Sequence, residues 1–118
     1  MLEHELYNIV GKEYNAVCIR LNPESAIFKG HFPGNPITPG VCQVGIVEEL
    51  LRTCFGKDVR LVEIKNLKFM DVLRPELSIE PVVVFEKMEE MDNRLAIRGK
   101  LVVGEKVFTK YSLVFETI

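Results

Sequence analysis

Apolar residues recur at three- and four-residue steps in one stretch of this chain, Val41 to Phe55, and at two-residue steps over most of the chain beyond it. Val41, Val44, Val47, Leu51 and Cys54 form one stripe, and Ile46 and Leu50 widen it, which predicts a largely buried helix. Pro39-Gly40 opens this helix and Gly56 closes it, as start and stop signals require. A single long buried helix must be covered by strands, and 118 residues fit one domain spanning 1–118.

The strands are legible as alternation. Val17, Ile19 and Leu21 share a face in a strand expected from Tyr14 to Leu21. Leu61 to Met70 reads as a second, and Leu77 to Phe85 as a third with Leu77, Ile79, Val83 and Phe85 on one side. Pro81 places that third strand at a sheet edge or a bulge. Leu95 to Val103 and Val107 to Phe115 form a hairpin around Gly104-Glu105. The sum is an α+β domain, an antiparallel sheet of about five strands packed on one helix.

Composition narrows the partners. Fifteen Lys plus Arg against 17 Asp plus Glu give a net charge of −2, which supplies no field for nucleic acid. No apolar run reaches the roughly 18–20 residues of a membrane span. The start, Met1-Leu2-Glu3-His4-Glu5, has no basic stretch leading into an apolar one, so a cytoplasmic location is expected. Cys18, Cys42 and Cys54 read as reduced core residues, and His4 and His31 fall into no metal-ligand spacing. A mean hydropathy of +0.13 in so short a chain points to a homo-oligomer.

Four of the six prolines, Pro23, Pro33, Pro36 and Pro39, lie between Asn22 and Gly40. Each fixes its own φ and restricts its predecessor, so this loop is ordered and not a tether. It carries His31 to the start of the helix, where the N–H groups of Gly40 and Val41 have no partner inside the helix and bear partial positive charge. Such a terminus polarises a carbonyl or holds an enolate oxygen, and histidine is the side chain suited to removing a proton beside it at neutral pH. The alternative is that His31 merely caps or braces the loop.

The segment His31-Phe32-Pro33-Gly34-Asn35-Pro36-Ile37-Thr38-Pro39-Gly40-Val41 resembles the signature of the (3R)-hydroxyacyl-[acyl carrier protein] dehydratases of dissociated fatty-acid synthesis. The resemblance implies a hot-dog fold, in which a curled antiparallel sheet wraps a central helix, and dimers whose sheet runs on across both protomers. It further implies a tunnel between protomers that receives a hydroxyacyl chain on a phosphopantetheine arm. His31 would then act on the substrate, and the Gly40 N–H would hold the thioester oxygen. Phe32, Pro33, Gly34, Thr38 and Val41, with Gly45 further along the helix, would line the substrate. No cofactor or metal is implied, since loss of water moves protons and no net electrons. The acidic carrier protein would dock on cations such as Lys29, Arg52, Lys57 and Arg60.

One departure bears on the chemistry. The family carries a carboxylic acid fourteen residues after its histidine, and that position is Gly45 here. Glu49 lies one turn on, about 40° around the helix and about 6 Å along it, and is the candidate replacement acid. The alternative places Glu48 and Glu49 on a solvated side or paired with Arg52. Arg74-Pro75-Glu76-Leu77 shortens a turn where relatives often carry Pro-Gly-Asp, and Thr38 replaces a bulky apolar residue as loop support. The residues leave three readings open: a dehydratase using His31, Gly40 and Glu49, an acyl thioesterase on the same fold, and a non-catalytic acyl-binding subunit that has lost its acid.

Overall fold

The computed structural model describes residues 1–118. Its elements in chain order are β1 (Tyr7–Glu13), β2 (Ala16–Leu21), α1 (Ile27–Gly30), α2 (Gly40–Phe55), β3 (Val59–Phe69), β4 (Val82–Met91), β5 (Arg94–Val103) and β6 (Lys106–Thr117). The strands form one antiparallel sheet in the order β1-β2-β4-β5-β6-β3. This is the hot-dog arrangement, with α2 as the central helix. The helix buries Val44, Ile46, Val47, Leu50 and Leu51 against the inward residues of the strands, among them Ile19, Val83, Ile97, Leu113 and Phe115. Each side chain removed from water in this way contributes about 1.5–3 kcal/mol.

The helix ends where the sequence predicts. Gly56 takes a left-handed φ of 64°, and the terminus closes with the Lys57 N–H donating to the Leu51 carbonyl at 2.9 Å. Gly99 is required for a different reason: a Cβ there would lie 2.0 Å from the Val84 carbonyl oxygen and 2.4 Å from the Tyr111 hydroxyl. Its absence lets Tyr111 reach across β5 and donate to that carbonyl at 2.7 Å.

The sheet corrects three expectations. There are six strands, because Tyr7–Glu13 pairs with β2 through a turn at Tyr14-Asn15, and Tyr14, at φ 53°, stands in that turn instead of starting a strand. The third expected strand is displaced to Val82–Met91, leaving Leu77 exposed in an irregular connection. Its Pro81 sits just before an internal strand, where its carbonyl accepts the Ile19 N–H at 2.9 Å, and the bulge in β4 falls between Phe85 and Lys87 instead. The cysteines are unpaired and half-buried at the core margin, where burial raises the thiol pKa of Cys18 and Cys42.

Candidate active site

The His31 loop is braced at both ends. Phe28 is buried in the one-turn helix α1, and the His31 N–H closes that turn by donating to the Ile27 carbonyl at 3.1 Å. The His31 carbonyl accepts the Ile37 N–H at 2.7 Å, so the segment between them forms a closed loop. Inside it Phe32 and Asn35 exchange backbone hydrogen bonds of 3.1 and 2.8 Å, with Gly34 at φ 73° in the turn. The Arg74 guanidinium holds the Asn35 side chain, and the Thr38 N–H donates to the Leu73 carbonyl at 2.8 Å. Upstream, the Glu5 carboxylate accepts from the Ser25 hydroxyl at 2.5 Å and the Ala26 N–H at 2.9 Å, which holds its pKa below the ordinary carboxylate value. The imidazole of His31 is left exposed, edge-on to the Phe32 ring.

The helix tip beside this loop is uncapped. Pro39 at the N-cap has no N–H and no capping side chain, and its carbonyl accepts from Cys42 and Gln43, both at 3.1 Å. The N–H groups of Gly40 and Val41 have no partner in the chain. They stand at the positive end of a 16-residue helix, a site that stabilises negative charge on an oxygen. The Phe69 ring lies against Gly40, and a Cβ there would be 2.3 Å from its Cζ. Position 40 therefore excludes a side chain while the ring keeps its place.

Gly45 and Glu49 face the start of the chain. Glu49 is 8% exposed, and its carboxylate accepts the Leu2 N–H at 2.6 Å, the Glu3 N–H at 2.9 Å and the Tyr7 hydroxyl at 3.0 Å. Burial and the adjacent Glu49 push the Tyr7 phenol far above its ordinary range, so it stays protonated and donating. The Leu2 side chain covers Gly45, its Cδ1 lying 2.8 Å from where a Cβ would be. Both oxygens of the expected replacement acid are engaged in fastening the N-terminal segment to α2. Glu48 accepts the Leu61 N–H at 2.9 Å and lies 3.8 Å from Arg52.

The remaining predicted residues divide. Phe32 and Val41 are exposed apolar side chains, which corrects the helical period's placement of Val41 on the buried stripe: it stands in the first turn of α2, beyond the cover of the sheet. Pro33 and Gly34 line an open cleft of about 360 Å³ with Phe28 and Lys29. Thr38 is buried with its Oγ1 unpartnered, so its support of the loop runs through its backbone and not its hydroxyl. Of the four expected docking cations, Arg52 lies 3.8 Å from both Glu48 and Asp58, Lys57 is paired with Glu90, and Arg60 with Glu116. Only Lys29 is without an ion pair.

Between α2 and the sheet, Val44, Val47, Leu67 and Leu113 surround a cavity of about 10 Å³, less than an acyl chain needs. At its rim the Thr109 hydroxyl donates to the Gln43 side-chain Oε1 at 2.6 Å, and the Gln43 Nε2 donates to the Thr38 carbonyl at 3.2 Å. This buried pair locks the helix tip to β6 and to the loop. Its signal in the sequence is a lone amide on the apolar stripe of the helix, opposite a threonine on an inward strand position.

Known proteins share this fold. The profile of the ApeI-like family, described as ApeI dehydratase, matches residues 10–103. The 3-hydroxyacyl-[acyl-carrier-protein] dehydratase FabZ of Latilactobacillus sakei is 37% identical over 94 residues, 71% of this chain. That alignment spans 64% of the relative, just under two thirds of its length. Among solved structures, the dehydratase heterocomplex ApeI:P from Xenorhabdus doucetiae superposes with a TM-score of 0.64 at 22% identity, covering 86% of this chain and 85% of that one. Thioesterase HI1161 from Haemophilus influenzae gives 0.65 at 14% identity, covering 99% and 81%, a likeness of fold alone. With four fifths of its length matched by the family profile, the chain belongs to the ApeI-like dehydratases.

Proposed function

We propose that this protein removes water from 3-hydroxyacyl thioesters carried on an acyl carrier protein. The observation that carries the reading is the uncapped tip of α2, where the unpartnered N–H groups of Gly40 and Val41 adjoin the braced loop that presents His31. A thioester oxygen accepting from the Gly40 N–H makes the C2 hydrogens more acidic, because the enolate charge then lies in the field of the helix. The His31 imidazole takes one C2 proton, and the C3–O bond breaks as the C2–C3 double bond forms. The imidazolium returns the same proton to the leaving hydroxide, which departs as water. Protons balance on this one ring, so the step needs no carboxylate at position 45. The relatives named as 3-hydroxyacyl-[acyl-carrier-protein] dehydratases support the substrate class.

The acyl chain lies at the surface of the single chain, since the interior cavity is too small for it. Exposed Phe32, Val41, Phe69, Met70 and Val72 supply apolar contact near the tip, and Ile64 extends this surface along β3, an edge strand. We infer that two copies pair along β3 and enclose the acyl chain between them. The test is enoyl formation from a series of 3-hydroxyacyl carrier proteins. His31→Asn is expected to lower turnover at least 100-fold with the circular dichroism spectrum unchanged, because the side chain is exposed and general-base steps contribute about 10²–10⁴-fold. Absence of product at every chain length overturns the reading.

A second reading is favoured by Leu2 covering Gly45: a subunit without its own acid that works with an acid-bearing homologue; ApeI:P, for its part, is described as a dehydratase heterocomplex. In that case the purified chain is inactive and a mixture with such a homologue is active. Thioester hydrolysis is disfavoured, since Glu48 and Glu49 are both engaged by backbone N–H groups and burial raises the pKa of the Cys42 thiol one turn before Gly45. Release of free thiol distinguishes it.

A further inference from the structure

The outward face of the sheet carries like charges placed directly opposite one another. Lys68 on β3 pairs with Lys110 on β6, and Lys110 with Lys100 on β5, so three lysines stand side by side across three strands. In the neighbouring row Ser112 pairs with Arg98, and Arg98 with Lys87 on β4. Lys65, Lys87, Arg98 and Ser112 line a shared depression of about 180 Å³. The inward neighbours Thr109, Tyr111, Gly99 and Leu101 are buried, which fixes these cations on the solvent side. Only Lys100 and Lys87 have a carboxylate within reach, Glu86 and Glu89, each at 3.6 Å. Lys65, Lys68, Lys110 and Arg98 have none.

Directly opposed like charges destabilise a sheet. In a chain of net charge −2, six cations are gathered on one face, and four of them stay unpaired despite the carboxylates there such as Glu86 and Glu89, a surface that fits an anionic partner. Neither row holds an aromatic or long apolar side chain to enter a bilayer or stack on bases, which leaves an acidic protein surface as the fitting occupant. The row ends on the edge strand β3, where the residue after Lys68 is Phe69, whose ring points to the opposite face and lies on Gly40.

We propose that the Lys68–Lys110–Lys100 row, with Arg98, Lys87 and Lys65, is where the acidic carrier protein docks to deliver its thioester to the tip of α2. This rests on the carrier-linked substrate reading and replaces the paired cations Arg52, Lys57 and Arg60 as the docking surface. Lys110→Glu turns two like-charged pairs into opposite-charged ones, so its thermal midpoint is expected to rise while the carrier protein binds at least tenfold more weakly. Lys110→Arg is expected to keep wild-type affinity. The readouts are thermal unfolding, titration of the acyl carrier protein at low and high salt, and turnover of carrier-linked substrate beside a short N-acetylcysteamine thioester. Support is a raised KM for the carrier-linked substrate alone, with wild-type binding weakened by salt. Unchanged carrier affinity in Lys110→Glu overturns the proposal, as does loss of self-association in that variant, or binding of wild type to anionic vesicles with none to the carrier protein. If wild type turns over neither substrate, the dehydratase reading fails, and the binding titration alone still decides the docking surface.

Discussion

At the scale of single residues, Glu49 and Glu5 do related work from opposite sides of the N-terminal segment. Glu49 receives its first amides, while Glu5 reaches from it to Ser25 and Ala26 ahead of the His31 loop. Hydrogen bonds to a buried carboxylate are worth about 1.5–3 kcal/mol each. Glu49→Gln keeps the shape but sets an amide donor among three donors, so a loss of about 2 kcal/mol and a fall in thermal midpoint of roughly 10 °C are expected. Turnover per folded molecule should hold, which separates this from an acid role. For Glu5 the folded-state pKa is lowered, first by the Ser25 hydroxyl and then by the Ala26 N–H. Its contribution is therefore present above the ordinary value of 4.5 and is lost as pH falls below that value through the lowered one. Thermal midpoints measured across this range should decline less steeply for Glu5→Gln than for wild type. His31 and Gly40 were legible because prolines and a helix start mark them within ten residues. The partners of Glu49 lie 46 and 47 residues away, and no local spacing announces them.

At the scale of elements, legibility followed burial. The helix and the β5–β6 hairpin each bury one full face, and their periods stand out in the sequence. Strand β1 is an edge strand whose residues beyond Tyr7 are mostly exposed, so its pattern carries no core face to read. The segment before β4 misled for the opposite reason: Leu77 and Ile79 continue the alternation of Val83 and Phe85, yet lie in a connection ahead of Pro81. Where β4, β5 and β6 cross, Gly99 is the point of closest approach. A methyl group there meets backbone on one side and a hydrogen-bonded phenol on the other, neither of which can swing aside. Gly99→Ala is expected to cost about 3 kcal/mol, seen as a lower urea midpoint. Gly45→Ala meets only the tip of the Leu2 side chain, and helix propensity favours alanine by about 1 kcal/mol, so it should be near neutral.

At the scale of the whole molecule, four of the exposed apolar residues, Ile64, Phe69, Met70 and Val72, lie on or just after one edge strand. Ile64→Glu should leave the chain folded and halve its mass in sedimentation, with loss of turnover resulting from the missing partner. A wild-type chain that sediments as a monomer at micromolar concentration overturns the pairing. The fastening of Leu2 and Glu3 to Glu49 also bears on the order of synthesis. Both residues are made before α2, so their two amides have no carboxylate to meet until the middle of that helix has left the ribosome, and until then water alone satisfies them.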